Sequence, residues 1–214
     1  MRTKLFLLSL VFTSFFTYYS YTVAKETWVQ VDFDTTVKLQ DHISRRFDKY
    51  FSYFSLIGSA EVTVAFCLIM ALLSLIKFRW LAIIGWLLIL PASFGEIFGK
   101  LVLFHPSPPV FLHRSVLPTN LPSFYVHTDF SYPSGHMTRT IFIITIFLCI
   151  LLFQSRNYLL KLVGVPILLI IAFLMGLTRV YLGEHWTTDV IGGALLGSAA
   201  GFFASVLILR IKKV

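Results

Sequence analysis

Six runs of roughly 20 mostly apolar residues divide the chain, at 5–23, 56–76, 80–103, 137–153, 160–178 and 190–209, and each is long enough to cross a bilayer as a helix. Between them the polar residues come in bursts. Backbone that enters lipid must satisfy its own N–H and C=O groups, so these runs predict helices rather than open strands. The expected fold is all-α: a polytopic membrane protein with six transmembrane helices in one bundle, a single domain over residues 1–214.

A different period appears between the first and second runs. In "DTTVKLQDHISRRFDKYFSYF", Ile43, Phe47, Tyr50, Phe51 and Phe54 recur at mostly three- and four-residue steps, with Arg45, Arg46, Asp48 and Lys49 between them. That spacing predicts an amphipathic helix lying along the outer membrane surface. The 104–136 connection contains Pro106, Pro108, Pro109, Pro118, Pro122 and Pro133, and loops of such length are commonly functional.

Composition sharpens the picture. The chain is 57% hydrophobic and 13% charged, with a mean hydropathy of +0.82, whereas soluble domains carry about 25% charged residues. The formal charge of +8 is not a nucleic-acid signature once position is considered. Arg2, Lys4, Lys77, Arg79, Arg156, Lys161, Arg210, Lys212 and Lys213 fall at the termini, the 77–79 turn and the 154–161 loop, with none of the 10 acidic residues. The positive-inside rule makes that side cytoplasmic, with both termini. The 24–55, 104–136 and 179–189 connections then face outward. "MRTK" and Thr22-Val23-Ala24 also loosely resemble a signal peptide with its cleavage site, although the long aromatic-rich run between them favours a retained span. Cys67 and Cys149 sit within apolar runs and are expected to pack rather than to bridge or bind metal.

The outward ends of the spans hold three polar clusters. Lys100 closes the third run in "GKLVLFHPSPP", "YPSGH" precedes the fourth, and Thr178, Arg179, His185 and Asp189 precede the sixth. Ionisable groups at membrane depth are costly and mark functional sites. His185 and Asp189 are four apart, a spacing that places both on one helix face. There the carboxylate can hold one imidazole nitrogen and leave the other as a nucleophile toward phosphorus. Lys100 and Arg179 suit phosphate oxygens. Ser134 and Gly135 at a helix mouth would offer unpaired N–H groups to an anion, and His136 could serve as general acid. Glu96, four residues before Lys100, either neutralises it as a helix pair or takes part in catalysis.

"PSGH" followed by "TRVYLGEHWTTD" closely resembles the second and third motifs of the type 2 phosphatidic acid phosphatase (PAP2) superfamily. The third motif is Ser-Arg, five residues, His, three residues, Asp, which Arg179, His185 and Asp189 match, with Thr178 in place of serine. The six-span layout is also similar to that of the family's integral-membrane members. The first motif, Lys, six residues, Arg-Pro, departs: counting from Lys100 reaches Ser107-Pro108. His105, Arg114 or Arg139 are candidate substitutes for the missing cation. Arg139 follows His136 by three residues on one helix face.

The resemblance implies attack by His185 to give a phosphohistidine, orientation by Asp189, and leaving-group protonation by His136. Lys100, Ser134, Gly135 and Arg179 would hold the phosphate. It implies no cofactor and no metal, and a lipid phosphate substrate: undecaprenyl diphosphate, phosphatidic acid or phosphatidylglycerophosphate. The setting it suggests is a bacterial inner membrane with the site on the extracytoplasmic side. A rival reading is a non-catalytic lipid-phosphate binding or translocating protein that lost turnover through Ser107. A transporter is disfavoured by the absence of broken helices with central charges. Gly193, Gly197 and Gly201 continue the Asp189 face at four-residue steps, which predicts close packing within the bundle rather than dimerisation.

Overall fold

The fold is taken from a computed structural model, which describes residues 1–117 and 129–210. Pro118, Pro122, Lys212 and Lys213 lie outside these. Among the described residues the regular structure is helical: α1 (Arg2–Ala24), α2 (Val29–His42), α3 (Asp48–Ser55), α4 (Ala60–Ile76), α5 (Trp80–Leu87), α6 (Ile89–Val102), α7 (Gly135–Phe153), α8 (Tyr158–Tyr181) and α9 (Thr187–Ile208). Among the described residues six helical segments, with α3 and α4 joined as one and α5 and α6 as another, are long and apolar enough to cross a membrane.

α9 is the central element, packed along α7 and α1 and touching α5. Its glycines make this possible. A Cβ on Gly193 would lie 2.5 Å from the Ser134 carbonyl oxygen, and one on Gly201 would lie 2.7 Å from Thr145 Cβ, so the α9 backbone rests directly on α7. The expected packing role of this stripe is therefore met inside the bundle. Ser9 on α1 donates to the Ala199 carbonyl at 2.8 Å. Away from the polar clusters, Cys67, Trp86, Phe142, Ile146, Cys149 and Ile208 form one apolar core, with both cysteines free and buried as expected. α8 turns Leu159, Leu162, Ile170 and Phe173 outward, the surface a lipid-facing helix requires.

Three expected boundaries shift for identifiable reasons. The 80–103 run is two helices meeting at Leu88, because Pro91 supplies no N–H to the Leu87 carbonyl and its ring crowds that turn. α7, α8 and α9 extend past their apolar runs toward one end of the bundle. There the chain is polar, and Thr187, Thr188 and Asp189 suit a helix N-terminus.

The predicted amphipathic helix is the third correction. Helix α2 ends at His42 and Ile43 is extended, so the 34–54 stretch is split between α2 and α3. Phe51 packs edge-on against Tyr181, with ring centroids 5.2 Å apart, and Phe54 joins the Met137–Met175 cluster, while Tyr50 points outward. α2 buries polar side chains. Its buried face is Asp32, Thr36 and Gln40, and its exposed residues include Val29, Val31 and Phe33.

The two ends differ chemically. At one, Arg79 donates to the Ile208 carbonyl at 2.5 Å and Arg2 to the Leu209 carbonyl at 3.2 Å, satisfying the last acceptors of α9. At the other, α2, α3, residues 104–117 and 129–134, and the 182–186 turn converge on the first turns of α7 and α9.

Candidate active site

The third cluster is built by the junction of α8 and α9. α8 ends at Tyr181, and Gly183, at φ +68°, turns the chain so that the Glu184 and His185 N–H groups both return to the Arg179 carbonyl at 3.2 Å. α9 then starts at Thr187 with Asp189 at its third position. Asp189 Oδ2 reaches back to accept the Trp186 N–H at 2.9 Å and faces His185 Nδ1 at 3.2 Å. The expected pairing is present, but not as two positions on one helix face: His185 precedes the helix, and the carboxylate meets it by folding over the helix start. With Asp189 ionised, Nδ1 carries the proton and Nε2 keeps its lone pair. Burial pushes the His185 imidazole below its ordinary pKa; the Asp189 hydrogen bond pulls it up, and Arg179 and Lys100 push it further down.

Arg179 is buried, with one terminal nitrogen on Glu184 Oε2, the other on Ser55 Oγ, and its Nε without a partner among the described residues. Glu184 also accepts from Ser115. Burial would raise Glu184, but the Arg179 guanidinium and the Ser115 hydroxyl outweigh it and hold the carboxyl below its usual range. Thr178 donates its hydroxyl to the Met175 carbonyl at 2.9 Å within its own helix, a bond that a serine hydroxyl can make as well.

α6 and α7 bring the other two clusters together. Lys100 Nζ lies 2.9 Å from Glu96 Oε1, and Arg139 Nη1 lies 2.5 Å from Glu96 Oε2. Glu96 is thus shared by two cations of different helices. Gly135 makes room for it: a Cβ there would collide with the Glu96 carboxylate. The expectation for "PSGH" changes in one respect. The Ser134 N–H is taken by the Asp189 carbonyl at 2.9 Å, which ties the α7 start to the α9 start. The buried Ser134 Oγ has no hydrogen-bond partner among the described residues, and Gly135 and His136 open the first turn, where N–H groups lack intrahelical acceptors.

Of the three candidate substitutes for the first-motif arginine, only Arg139 shares a partner with Lys100. Arg114 lies over the Tyr181 ring, 5.2 Å from its centroid, and its backbone N–H donates to the Leu182 carbonyl. His105 lies behind Asp189, its Nε2 3.7 Å from Asp189 Oδ1. Ser107 donates its N–H to the Asp129 carbonyl, holding two stretches of the connection side by side. Sequence reasoning missed Asp32 and Glu184. Asp32 accepts the Thr188 N–H at 2.9 Å and its hydroxyl at 2.7 Å across 156 positions of chain. Burial raises its pKa against these two bonds. The only sequence signal for it was an acid inside the Asp32, Thr36, Gln40 face.

The fold and the site together define a membrane-embedded helical bundle with a carboxylate-held histidine among buried cations at one end. Residues 80–213 match the PAP2 superfamily, and the chain belongs to that superfamily. It is 40% identical over 77 residues to an undecaprenyl-diphosphatase of Sulfolobus acidocaldarius, covering 36% of this chain and 33% of that protein. It is 36% identical over 90 residues to phosphatidylglycerophosphatase B of Bacillus subtilis, covering 40% and 43%. These matches span less than half of either relative. The fold is similar to the crystal structure of a transmembrane PAP2-type phosphatidylglycerolphosphate phosphatase from Bacillus subtilis, with a TM-score of 0.73 and 19% identity over 92% of this chain and 94% of that one. It is also similar to LpxE from Aquifex aeolicus, with a TM-score of 0.58 and 23% identity over 81% and 94%.

Proposed function

We propose that this protein hydrolyses the phosphate or diphosphate ester of a membrane lipid at the outward end of the bundle, through a phosphohistidine on His185. The observation that carries the reading is the His185–Asp189 contact. It leaves Nε2 as a lone-pair nucleophile, and Arg179 and Lys100 are close enough to depress the imidazole.

In the first step the Nε2 lone pair forms an N–P bond as the P–O bond to the lipid alcohol or lipid phosphate breaks. His136 donates a proton to the departing oxygen. In the second, water attacks phosphorus, His136 accepts its proton, and the N–P electron pair returns to Nε2. Lys100, Arg139 and Arg179 serve the phosphate oxygens, with Ser134 Oγ and the first N–H groups of α7 as neutral donors. Arg139 takes the place of the family arginine absent at Ser107, and Glu96 and Glu184 hold the three cations between turnovers. The outward placement is supported by the basic residues gathered at the opposite end of α9.

Undecaprenyl diphosphate and phosphatidylglycerophosphate are the first substrates to test, since the named relatives act on these compounds, with phosphatidic acid as the third. Phosphate release is measured for the detergent-purified protein and His185→Ala on all three lipids, with and without a chelator. Release by the wild type alone, unaffected by chelator, is expected. One rival, a lipid-phosphate binder without turnover, rests on Ser107 at the first-motif arginine position; headgroup binding with no release from any lipid would select it.

A further inference from the structure

Behind the His185–Asp189 pair is a second buried layer that the reaction above does not use. Asp32 of α2 is 1% exposed, His105 is 7% exposed and Thr188 is 2% exposed. The protons in this layer can be assigned. Thr188 gives its N–H to Asp32 Oδ1 at 2.9 Å and its hydroxyl proton to Asp32 Oδ2 at 2.7 Å. A hydroxyl has one proton. The 3.2 Å contact between Thr188 Oγ1 and His105 Nε2 therefore has the imidazole as donor, and Nε2 carries hydrogen. That same nitrogen lies 3.7 Å from Asp189 Oδ1, the oxygen of Asp189 left without a hydrogen bond among the described residues.

We infer that His105, locked with hydrogen on Nε2 by the Asp32–Thr188 pair, is a positioning residue for Asp189 and through it for His185. The Nε2–H edge presents partial positive charge to Asp189 Oδ1, fixing the carboxylate plane so that Oδ2 stays on His185 Nδ1. Asp32 sets the direction of the wiring. As an ionised acceptor it takes the Thr188 proton and forces His105 to donate. If Asp32 became a donor, Thr188 would turn its proton to His105 Nε2, the ring would move its hydrogen to Nδ1, and a lone pair would face the Asp189 carboxylate. In triad enzymes, replacing the orienting acid by its amide is costly because it leaves a histidine in the wrong tautomer. The inference rests on His185 being the nucleophile.

Asp32→Asn makes that change. Its amide oxygen must stay on the Thr188 N–H, which leaves the NH₂ group against the hydroxyl. The expected result is a kcat reduced about tenfold or more, the scale of outer-shell partners, with KM within about twofold. Thr188→Val should match it, and Thr188→Ser, which keeps the hydroxyl, should retain wild-type kcat. The wiring has its own readout. In protein labelled with ¹⁵N-histidine, and with the His105 signal assigned through His105→Gln, the ring is expected to be protonated at Nε2 in the wild type and at Nδ1 in Asp32→Asn. An unchanged tautomer in folded Asp32→Asn, or a changed tautomer with unchanged kcat, overturns the inference. Failure of the phosphatase reading is distinct: it is phosphate release by His185→Ala, or none by the wild type, and the tautomer measurement still judges the wiring.

Discussion

Arg139 of α7 donates to Glu96 of α6 at 2.5 Å, on the carboxylate oxygen opposite the one that holds Lys100. One acid thereby fixes the spacing of two cations from different helices. The first-motif position that would carry an arginine in the family is Ser107, and Arg139 supplies a guanidinium beside Lys100 from another element.

Arg139→Ala is therefore expected to lower kcat/KM by about 100- to 1,000-fold, the effect of losing one preorganised phosphate donor. Ser107→Arg added to it should recover part of the loss. Steady-state kinetics on the preferred lipid decide this, and wild-type binding and turnover by Arg139→Ala would rule out the substitution of one arginine for the other. Because the change also leaves Glu96 with one fewer buried partner, a lower thermal midpoint accompanies it.

His185→Ala should be inactive. Asp189→Asn is expected to lose about 10⁴-fold in kcat, as in triads where the orienting acid becomes an amide. Acid-stable labelling is not expected from a phosphohistidine, so base-quenched protein exposed to ³²P-lipid is the assay. Label on the wild type and none on His185→Ala is the expected pattern, and label retained by His185→Ala would move the nucleophile elsewhere.

Burial holds His185 below the ordinary imidazole value, and the nucleophile must be unprotonated. Activity should persist below pH of about 6.5 and fall only as the pH drops through the lowered value. Asp189→Asn removes the group that pulls His185 up, so its acid limb should lie lower still. Between the lowered value and about 6.5 the unfolded chain binds more protons at this site than the folded one. Stability is thus full above that window and declines as the pH falls through it. A kcat/KM profile in which the limb moves up in Asp189→Asn would contradict the assignment.

Gly201→Leu would place a side chain where a Cβ alone comes within 2.7 Å of Thr145 and 2.9 Å of the Phe142 carbonyl. Overpacking of this kind costs about 1–3 kcal/mol. The detergent-solubilised variant should unfold at a lower temperature than the wild type, with unchanged oligomeric state by light scattering. A change of oligomeric state without loss of stability would move the stripe to an interface between copies.

The architecture was legible because membrane spans are written locally. Run length and backbone satisfaction specify six spans, whereas the break at Leu88, forced by Pro91 within the third run, was not anticipated. Much of the candidate site was legible for a similar reason. Arg179, His185 and Asp189 lie within one short segment, and the turn that joins them is closed by bonds between near neighbours.

Partner choice was not legible. Asp32 meets Thr188 across 156 positions and Arg139 meets Glu96 across 43, and nothing in either local pattern names the other. α2 shows the limit most clearly: the residues it buries, Asp32, Thr36 and Gln40, are all polar, where amphipathic reading expects an apolar stripe against the core. By itself the sequence determined the helical bundle, its spans and the short histidine–aspartate segment, because hydrophobic length and close spacing act locally. Only the tertiary structure decided which acid neutralises which cation and which tautomer His105 holds. A charge or proton buried at low dielectric must be matched, but the match is made by whatever group the packed helices bring within reach.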